Sequence, residues 1–470
     1  MDDFDYVIIG SGPSSTGFYL SEKFQKVSSS SCVIDTALDY NNILDKEPSS
    51  DFLYKIHDVN HKTYYGDKGA TQYKIPFEYD SGFDMKNSYY LGGLTNVWGA
   101  ACERYNSNEL KKMGLSIEEE YYEKIEKHMH INNMLLPKKS KMRKIYTKLQ
   151  RESNEKAFVT PAKLAVKFSK WGENCGGLYG NTSKAIFNSK YEFYKLTNNT
   201  TRILGEFVNK IFYNAQNDIK IETISLKDGR KRIIKTKNLI IGCGPINTAK
   251  LLLKSFNDIN SIRIKDSQGF TMPIVDQSLN GFFFQEEKDI IELSNIFLKN
   301  NIKDNIFHGQ LYFCGSYAKN QISKSFYIPR ILLNQLINII YLYQGYLPSE
   351  FSSEGEITLQ EKKFNFKILK NYDEKILKEF CNDIGIFLRK SNLRQFNSLK
   401  KVSNIFGVYH FGSLSIILDN KELHLSPDSG LLDNYKGIHI IDASVLKNLP
   451  GGPITSTVMA NALRIADNIL

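Results

Sequence analysis

The residues best suited to chemistry start with Gly10-Ser11-Gly12-Pro13-Ser14-Ser15 and the acid Asp35. A turn of this composition brings bare backbone to a pyrophosphate. Gly10 permits the tight bend, Gly12 lets phosphate approach the main chain, and Ser15, in the place of a third glycine, is small enough for close helix packing. Pro13 and Ser14 belong to the turn before the helix, whose free N–H groups and positive dipole end favour phosphate. Asp35 comes 25 residues after Gly10, near the roughly 20 at which a carboxylate holds a ribose hydroxyl. Such an acid accepts from a free 2′-OH, which argues for the adenosine of FAD or NAD and against NADP.

The elements that position these groups are legible on both sides. Tyr6-Val7-Ile8-Ile9 predicts a buried strand, residues 16–24 a helix, and Ser31-Cys32-Val33-Ile34-Asp35 a second strand that delivers the acid. At the other end, Gly437-Ile438-His439-Ile440-Ile441-Asp442-Ala443-Ser444 reads as a strand, followed by Pro450-Gly451-Gly452-Pro453 and a helix from Ile454. Leu239-Ile240-Ile241-Gly242-Cys243-Gly244-Pro245 and the apolar run after it predict another strand and helix. Alternation at 270–275, 310–314, 325–328 and 356–359 predicts strands of a separate sheet, and Ile376, Leu377, Phe380, Ile384, Phe387 and Leu388 a helix over 373–390 packed across it.

Composition bounds the reading. The 470 residues carry no linker, repeat or low-complexity tract, and 41% hydrophobic with 12% aromatic residues suffices for a large core. The net charge of +10 lies in short runs such as 138–144 and 229–237 without aromatic interleaving; these read as solvated faces, so no nucleic acid is expected as a partner. Six dispersed cysteines without a CxxC pair argue against a zinc site and a disulfide framework, and no metal is inferred. Asp2, Asp3 and Asp5 stand where a secretory signal would be basic. The expectation is a cytoplasmic protein, with a peripheral membrane position left open. The apolar stretch 331–343, broken by Asn334 and Asn338, is too short to span a bilayer and reads as a packed helix or strand pair.

Leu91-Gly92-Gly93-Leu94-Thr95-Asn96-Val97-Trp98-Gly99 resembles the flavin-contact segment of the glucose–methanol–choline (GMC) oxidoreductases, particularly the pyranose oxidase-like branch. Val208, within 202–211, looks like the strand under the adenine. Residues 239–253 are similar to the family's returning strand and helix, with Gly242 in its turn, and Ile440-Ile441-Asp442-Ala443-Ser444-Val445 with 454–464 to its closing signature. The resemblance implies FAD. Gly92, Gly93, Thr95, Asn96 and Trp98 would then lie along the flavin, Asp442 and Ala443 would touch ribityl or pyrophosphate through main-chain atoms, and the helix start at Ile454 and Thr455 would face the N1/C2=O edge, where negative charge gathers on reduction. Val97 occupies the place where members of that branch link a histidine to flavin, so the FAD is expected to be non-covalent.

The expected fold is α/β: a discontinuous FAD-binding Rossmann-like three-layer domain (1–70, 90–105, 200–265 and 405–470) with an interleaved α+β substrate domain on a mostly antiparallel sheet (71–89, 106–199 and 266–404). In the family a histidine takes the alcohol proton while hydride leaves for flavin N5. His410, in Gly407-Val408-Tyr409-His410-Phe411-Gly412-Ser413, holds that slot, with His424 a second candidate. His57, His61, His128, His130 and His308 read as surface groups, and His439 as alternating outward. The family's second histidine or asparagine falls on Pro453, which has no side-chain donor or acceptor; Asn448 or Thr455 could supply a replacement polar group.

The resulting expectation is an FAD-dependent oxidoreductase acting on a CH–OH donor, a polyol, sugar or glycoconjugate, for which 27 tyrosines would suit stacking and hydrogen bonding. The electron acceptor stays open among oxygen, a quinone and another protein. The alternative is a flavin-binding protein with altered chemistry, as reductase or isomerase, or with an assembly role.

Overall fold

The computed structural model describes residues 2–37, 88–96, 98–136, 140–170, 185–214, 218–278, 293–302, 305–313, 339–361, 363–402, 415–418 and 425–470. Its centre is the strand Asp2–Ile9, paired in parallel with Ser31–Asp35 on one side and Lys231–Ile241 on the other. Ile9 is level with both Ile34 and Ile241, so three strands end together where the glycine turn begins. Their side chains alternate between two cores, as a pleated sheet covered on both faces requires. Ile8, Val33 and Ile240 meet Phe18, Tyr19 and Ile465 on one face, while Val7, Ile9, Cys32, Ile34, Leu239 and Ile241 join the larger core on the other.

The long strand Lys231–Ile241 changes neighbours along its length. Its first half pairs antiparallel with Ile219–Ser225, which leads to Glu206–Tyr213; its last three residues pair in parallel with Ile438–Ile440. The two ends of the sequence therefore meet in one sheet. The predicted helix over 16–24 is two helices, Pro13–Tyr19 and Glu22–Val27. Ser21 separates them: its backbone is extended and its hydroxyl accepts from the Lys23 and Phe24 N–H groups, which starts a new helix. The closing helix, Thr455–Ile469, lies against Pro13–Tyr19 so closely that a Cβ on Gly17 would come within 2.3 Å of the Met459 carbonyl oxygen.

A second sheet of antiparallel strands runs Leu393–Gln395, Gly269–Asp276, Ile340–Tyr346, Asn305–Phe313, Ile296–Ile302, Ala157–Pro161. Helix Glu374–Arg389, capped by Asp373, covers one face with all six predicted apolar residues buried. Ser261–Lys265, Glu354–Gln360, Lys363–Lys370 and Ser415–Leu418 form a further antiparallel sheet. The α/β class, with a discontinuous parallel unit and a mostly antiparallel remainder, is the expected one. The predicted strand at 325–328 lies outside the described residues, as does 331–338; the end of that apolar stretch belongs to strand Ile340–Tyr346.

Candidate functional site

The glycine turn divides its labour. Gly10 has φ +107°, and a Cβ there would lie 2.6 Å from the Gly242 carbonyl oxygen, so glycine is demanded by the fold. Around Gly12 nothing lies within 4 Å of an added Cβ. That open side faces away from the protein's own packing, at the start of helix Pro13–Tyr19. Ser14 and Ser15 donate to the Gly242 carbonyl at 3.5 and 3.4 Å, and a Cβ on Gly242 would fall 2.5 Å from Ser15 Oγ. Gly242 thus lets two loops meet; Gly244, with φ +84° and nothing within 4 Å, has the open side.

Gly92 and Gly93 lie directly on this turn. The Gly92 N–H donates to Ser11 Oγ at 2.9 Å, and a Cβ on Gly93 would be 3.3 Å from Gly12 Cα. The side chains around them shape the loop: Thr95 donates to the Gly92 carbonyl, Asn96 to the Leu91 and Gly93 carbonyls, and Trp98 to the Phe187 carbonyl. Val97 lies outside the described residues.

Asp35 ends its strand beside the turn, with the Ala37 N–H donating to its carboxylate at 2.6 Å. Burial pushes its pKa up to about 6, against hydrogen bonds from Ala37, Ser11 and Thr36. Its register partner, Leu204, is followed by Gly205 (φ +73°) and then by Val208 at a bulge in strand Glu206–Tyr213. Thr36 donates to the Tyr89 carbonyl, and the Tyr89 ring meets that of Phe207 at 6.2 Å. The strand carrying Val208 thereby starts near Asp35 and pairs with Ile219–Ser225 in the same sheet.

Asp442 is committed to structure through its side chain. One oxygen accepts from the Gly244 N–H at 2.9 Å and from Thr248 Oγ1 at 2.6 Å, the other from the Ser444 N–H and hydroxyl. Burial raises its pKa against these four bonds. Only main-chain atoms of Asp442 and Ala443 are left for a ligand.

A pattern that sequence reading did not isolate emerges from the helix starts. Among the described α-helices, only Pro13–Tyr19, Pro245–Ser255 and Thr455–Ile469 have neither a side-chain cap nor an acid in the first turn. Side-chain caps and early acids neutralise the positive end of a helix. The first and third retain it, whereas at the second the Asp442 carboxylate accepts from the Gly244 N–H and the Thr248 hydroxyl; the first two open beside the linked loops of Gly12, Gly242 and Gly244, and Asp442 ties the strand leading to the third to Gly244.

The polar groups near the last helix differ from expectation. His410 and His424 lie outside the described residues. Pro453 contributes its carbonyl, which accepts from Tyr105 Oη at 3.0 Å. Asn448 is engaged at both ends, donating to the Lys112 carbonyl and accepting from Lys265 Nζ. Thr455 is half-buried as the first residue of its helix. His308, read from sequence as a surface group, is only 2% exposed. It sits on the second sheet with Nε2 3.4 Å from Glu109 and Nδ1 3.8 Å from Glu103, its ring edge-on to Tyr105, and a Cβ on Gly452 would be 2.9 Å from its Cγ. Its neighbours in sequence, Phe307 and Gly309, face the helix-covered core, so alternation turns it the other way. His439 is also buried, because Leu431 pairs across it and its Nδ1 meets the Ser429 carbonyl at 2.8 Å; burial lowers its pKa. Two residues beyond His308 on the same face, Gln310 takes the Tyr312 hydroxyl on Oε1 while its buried Nε2 has no hydrogen-bond partner among the described residues.

No protein-family model matches the chain, and no curated protein matches it. Among solved structures it is similar to pyridoxine 4-oxidase from Mesorbium loti, at TM-score 0.62 and 11% identity over 99% of both chains. It is also similar to formate oxidase from Aspergillus oryzae RIB40, in a variant solved to follow FAD modification, at TM-score 0.66 and 11% identity over 99% of this chain and 98% of that one. A further formate oxidase structure gives TM-score 0.64 with the same identity and coverage. At this identity the likeness shows a shared fold spanning the whole of each chain.

Proposed function

We propose that the chain is an FAD-dependent oxidoreductase of the GMC kind, accepting hydride from the carbon of a polyol, sugar or glycoconjugate alcohol, with His410 receiving the hydroxyl proton. The observation that carries this reading is the pair of open-sided glycines, Gly12 and Gly244, on loops linked through Gly242, with the uncapped start of helix Pro13–Tyr19 beside Gly12. The residues fit a flavin adenine dinucleotide: Gly12 and Gly244 offer bare backbone to pyrophosphate, Asp35 a carboxylate to the ribose, and the Thr455 helix start a positive end. When bound, FAD supplies the hydride acceptor. Everything else belongs to the chain. Asp442 holds the loops together, Ser11 holds Gly92 over the turn, and His308 of the second sheet packs on Gly452 in the loop before the last helix. The fold shared over full length with proteins described as oxidases supports the same reading.

Attachment is proposed to be non-covalent because Val97 has no nucleophilic side chain. Pro453 favours the second reading, altered flavin chemistry as a reductase or isomerase, since its carbonyl already accepts from Tyr105. The test is direct. Purified protein should release FAD on acid precipitation, and anaerobic addition of polyols and sugars should bleach the flavin band. A protein that neither contains nor takes up flavin removes the reading; a yellow protein that no alcohol reduces leaves the altered-chemistry alternative.

A further inference from the structure

We infer that the edge of the second sheet formed by residues 384–402 docks on an anionic lipid surface. This stretch contains Arg389, Lys390, Arg394, Lys400 and Lys401, and the acid that directly precedes it, Asp383, is paired with Lys156 at 2.9 Å. Helix Glu374–Arg389 ends with Ile386 53% exposed and Arg389 and Lys390 three and four residues on, hence on the same face. The chain then forms edge strand Leu393–Gln395 and a single 3₁₀ turn, Asn397–Leu399.

The turn presents its apolar side chains together. Phe396, 36% exposed, caps the start of the turn and Leu399, 48% exposed, ends it, so both apolar side chains are exposed within one turn of chain. The Leu399 N–H donates to the Phe396 carbonyl and the Phe396 N–H to the Pro273 carbonyl, both at 3.1 Å, which fixes the tip to the sheet. Arg394 reaches over the Phe396 ring at 5.9 Å on one side. Lys401, in register with Thr271, follows on the other.

Two ordinary roles account for part of this. Cations suit a helix C-terminus, and charged side chains protect an edge strand from pairing. Neither role calls for an outward phenylalanine beside an outward leucine. An apolar tip flanked by cations matches a lipid interface, where the tip enters below the headgroups and the cations meet anionic phosphate. Among the described residues, Lys390 of the five cations has a carboxylate within 4.0 Å, that of Glu152. The nearest acid on the adjoining strand, Asp276, is buried and bonded to Ser278. No helix among the described residues is long and apolar enough to cross a membrane, so this contact would be peripheral.

Sedimentation of the full-length holoprotein with vesicles of phosphatidylcholine alone, or of phosphatidylcholine mixed with phosphatidylserine, tests the inference. Binding to the mixed vesicles and its decline with added salt are expected. Each cation near such a surface contributes about fivefold in affinity, so a Lys400→Glu/Lys401→Glu variant should bind at least about 25-fold more weakly by the same arithmetic. Phe396→Ser/Leu399→Ser should also weaken binding, with unchanged circular dichroism. A wild-type protein that ignores mixed vesicles, equal binding to both compositions, or binding that survives both double variants would overturn it. An acidic protein as the true partner would show as the first of these outcomes.

Discussion

The Asp442 carboxylate accepts the Gly244 N–H at 2.9 Å across 198 residues of sequence, joining the last strand to the helix start of the returning unit. The bond ties the strand from the end of the chain to the loop after Ile241. Asp442→Ala would leave the Gly244 N–H, the Thr248 hydroxyl and the Ser444 donors without their shared acceptor. A buried donor left unpaired costs about 1 to 3 kcal/mol, so a loss of at least that size is expected in urea denaturation. Thr248→Val removes one donor and should cost less. If the two variants were equally stable, the carboxylate would not be the hub that its four bonds imply.

Gly10 and Gly12 should separate when each is enlarged. Gly10→Ala adds a Cβ 2.6 Å from the Gly242 carbonyl oxygen at a φ of +107°, so it should destabilise even the apoprotein, by about 1 to 3 kcal/mol for the strained backbone. A Cβ at Gly12 meets nothing within 4 Å, so Gly12→Val places its branch on the open side. It should fold as well as wild type and fail to hold flavin, because the new side chain fills the path of the pyrophosphate. Thermal unfolding of both apoproteins, followed by FAD titration, gives the two readouts independently.

Asp35 carries a pH signature. Its ordinary value of 3.8 is raised to about 6 by burial in the folded chain, so the folded state holds a proton that the unfolded state has released. Stability from this group is fully present below pH 3.8 and is lost as pH rises through about 6. Apo Asp35→Asn, which cannot ionise, should therefore be more stable than wild type at pH 7 and gain nothing at low pH. The same substitution should weaken FAD binding if the carboxylate holds a ribose hydroxyl. A stabilised apoprotein with unchanged FAD affinity would assign Asp35 no ligand.

The parallel core was legible because its chemistry is local. Val7-Ile8-Ile9 and Leu239-Ile240-Ile241 are apolar runs bounded by glycine turns, and period and punctuation suffice to read them as buried strands. The helix break at Ser21 was missed because an apolar periodicity continues across it, whereas the cap depends on one hydroxyl turning back on two N–H groups. His308 was misread for a different reason: its sequence neighbours are unremarkable, and its burial comes from Glu103, Tyr105 and Gly452, each more than 140 residues away. Gly244 could have been found. Directly before Pro245 at a helix start, a glycine is the residue that admits a positive φ without strain.

His308 should act on the loop before the final helix rather than on flavin affinity. It packs on Gly452, and its partner Glu103 lends its carbonyl to Ser456 on that helix while pairing with Lys299. His308→Ala would open a space beneath Gly452 and remove the ring that lies against Glu103 and Glu109. An expected cost of about 1 to 3 kcal/mol follows from an unpaired buried group, visible in urea denaturation. His308→Gln, which keeps the volume and a donor, should recover most of it. Equal stability of the wild type and the alanine variant would show that the packing on Gly452 carries no weight.

His410→Ala tests the proposed proton acceptor. Loss of a general base slows the step it serves by about 10² to 10⁴, so the variant should keep its FAD while anaerobic flavin reduction by the preferred alcohol falls by that order. Pro453→Ala is the matched control. Proline offers no side-chain hydrogen bond to lose, and the carbonyl that accepts from Tyr105 remains; its effect should appear in the stability of the helix start, with the rate of reduction nearly intact. Should the two variants reduce flavin equally fast, His410 is not the base. Should neither they nor the wild type be reduced by any alcohol, while a reduced flavin passes its electrons to an alkene or ketone, the positive helix starts would serve flavin chemistry running in the opposite direction.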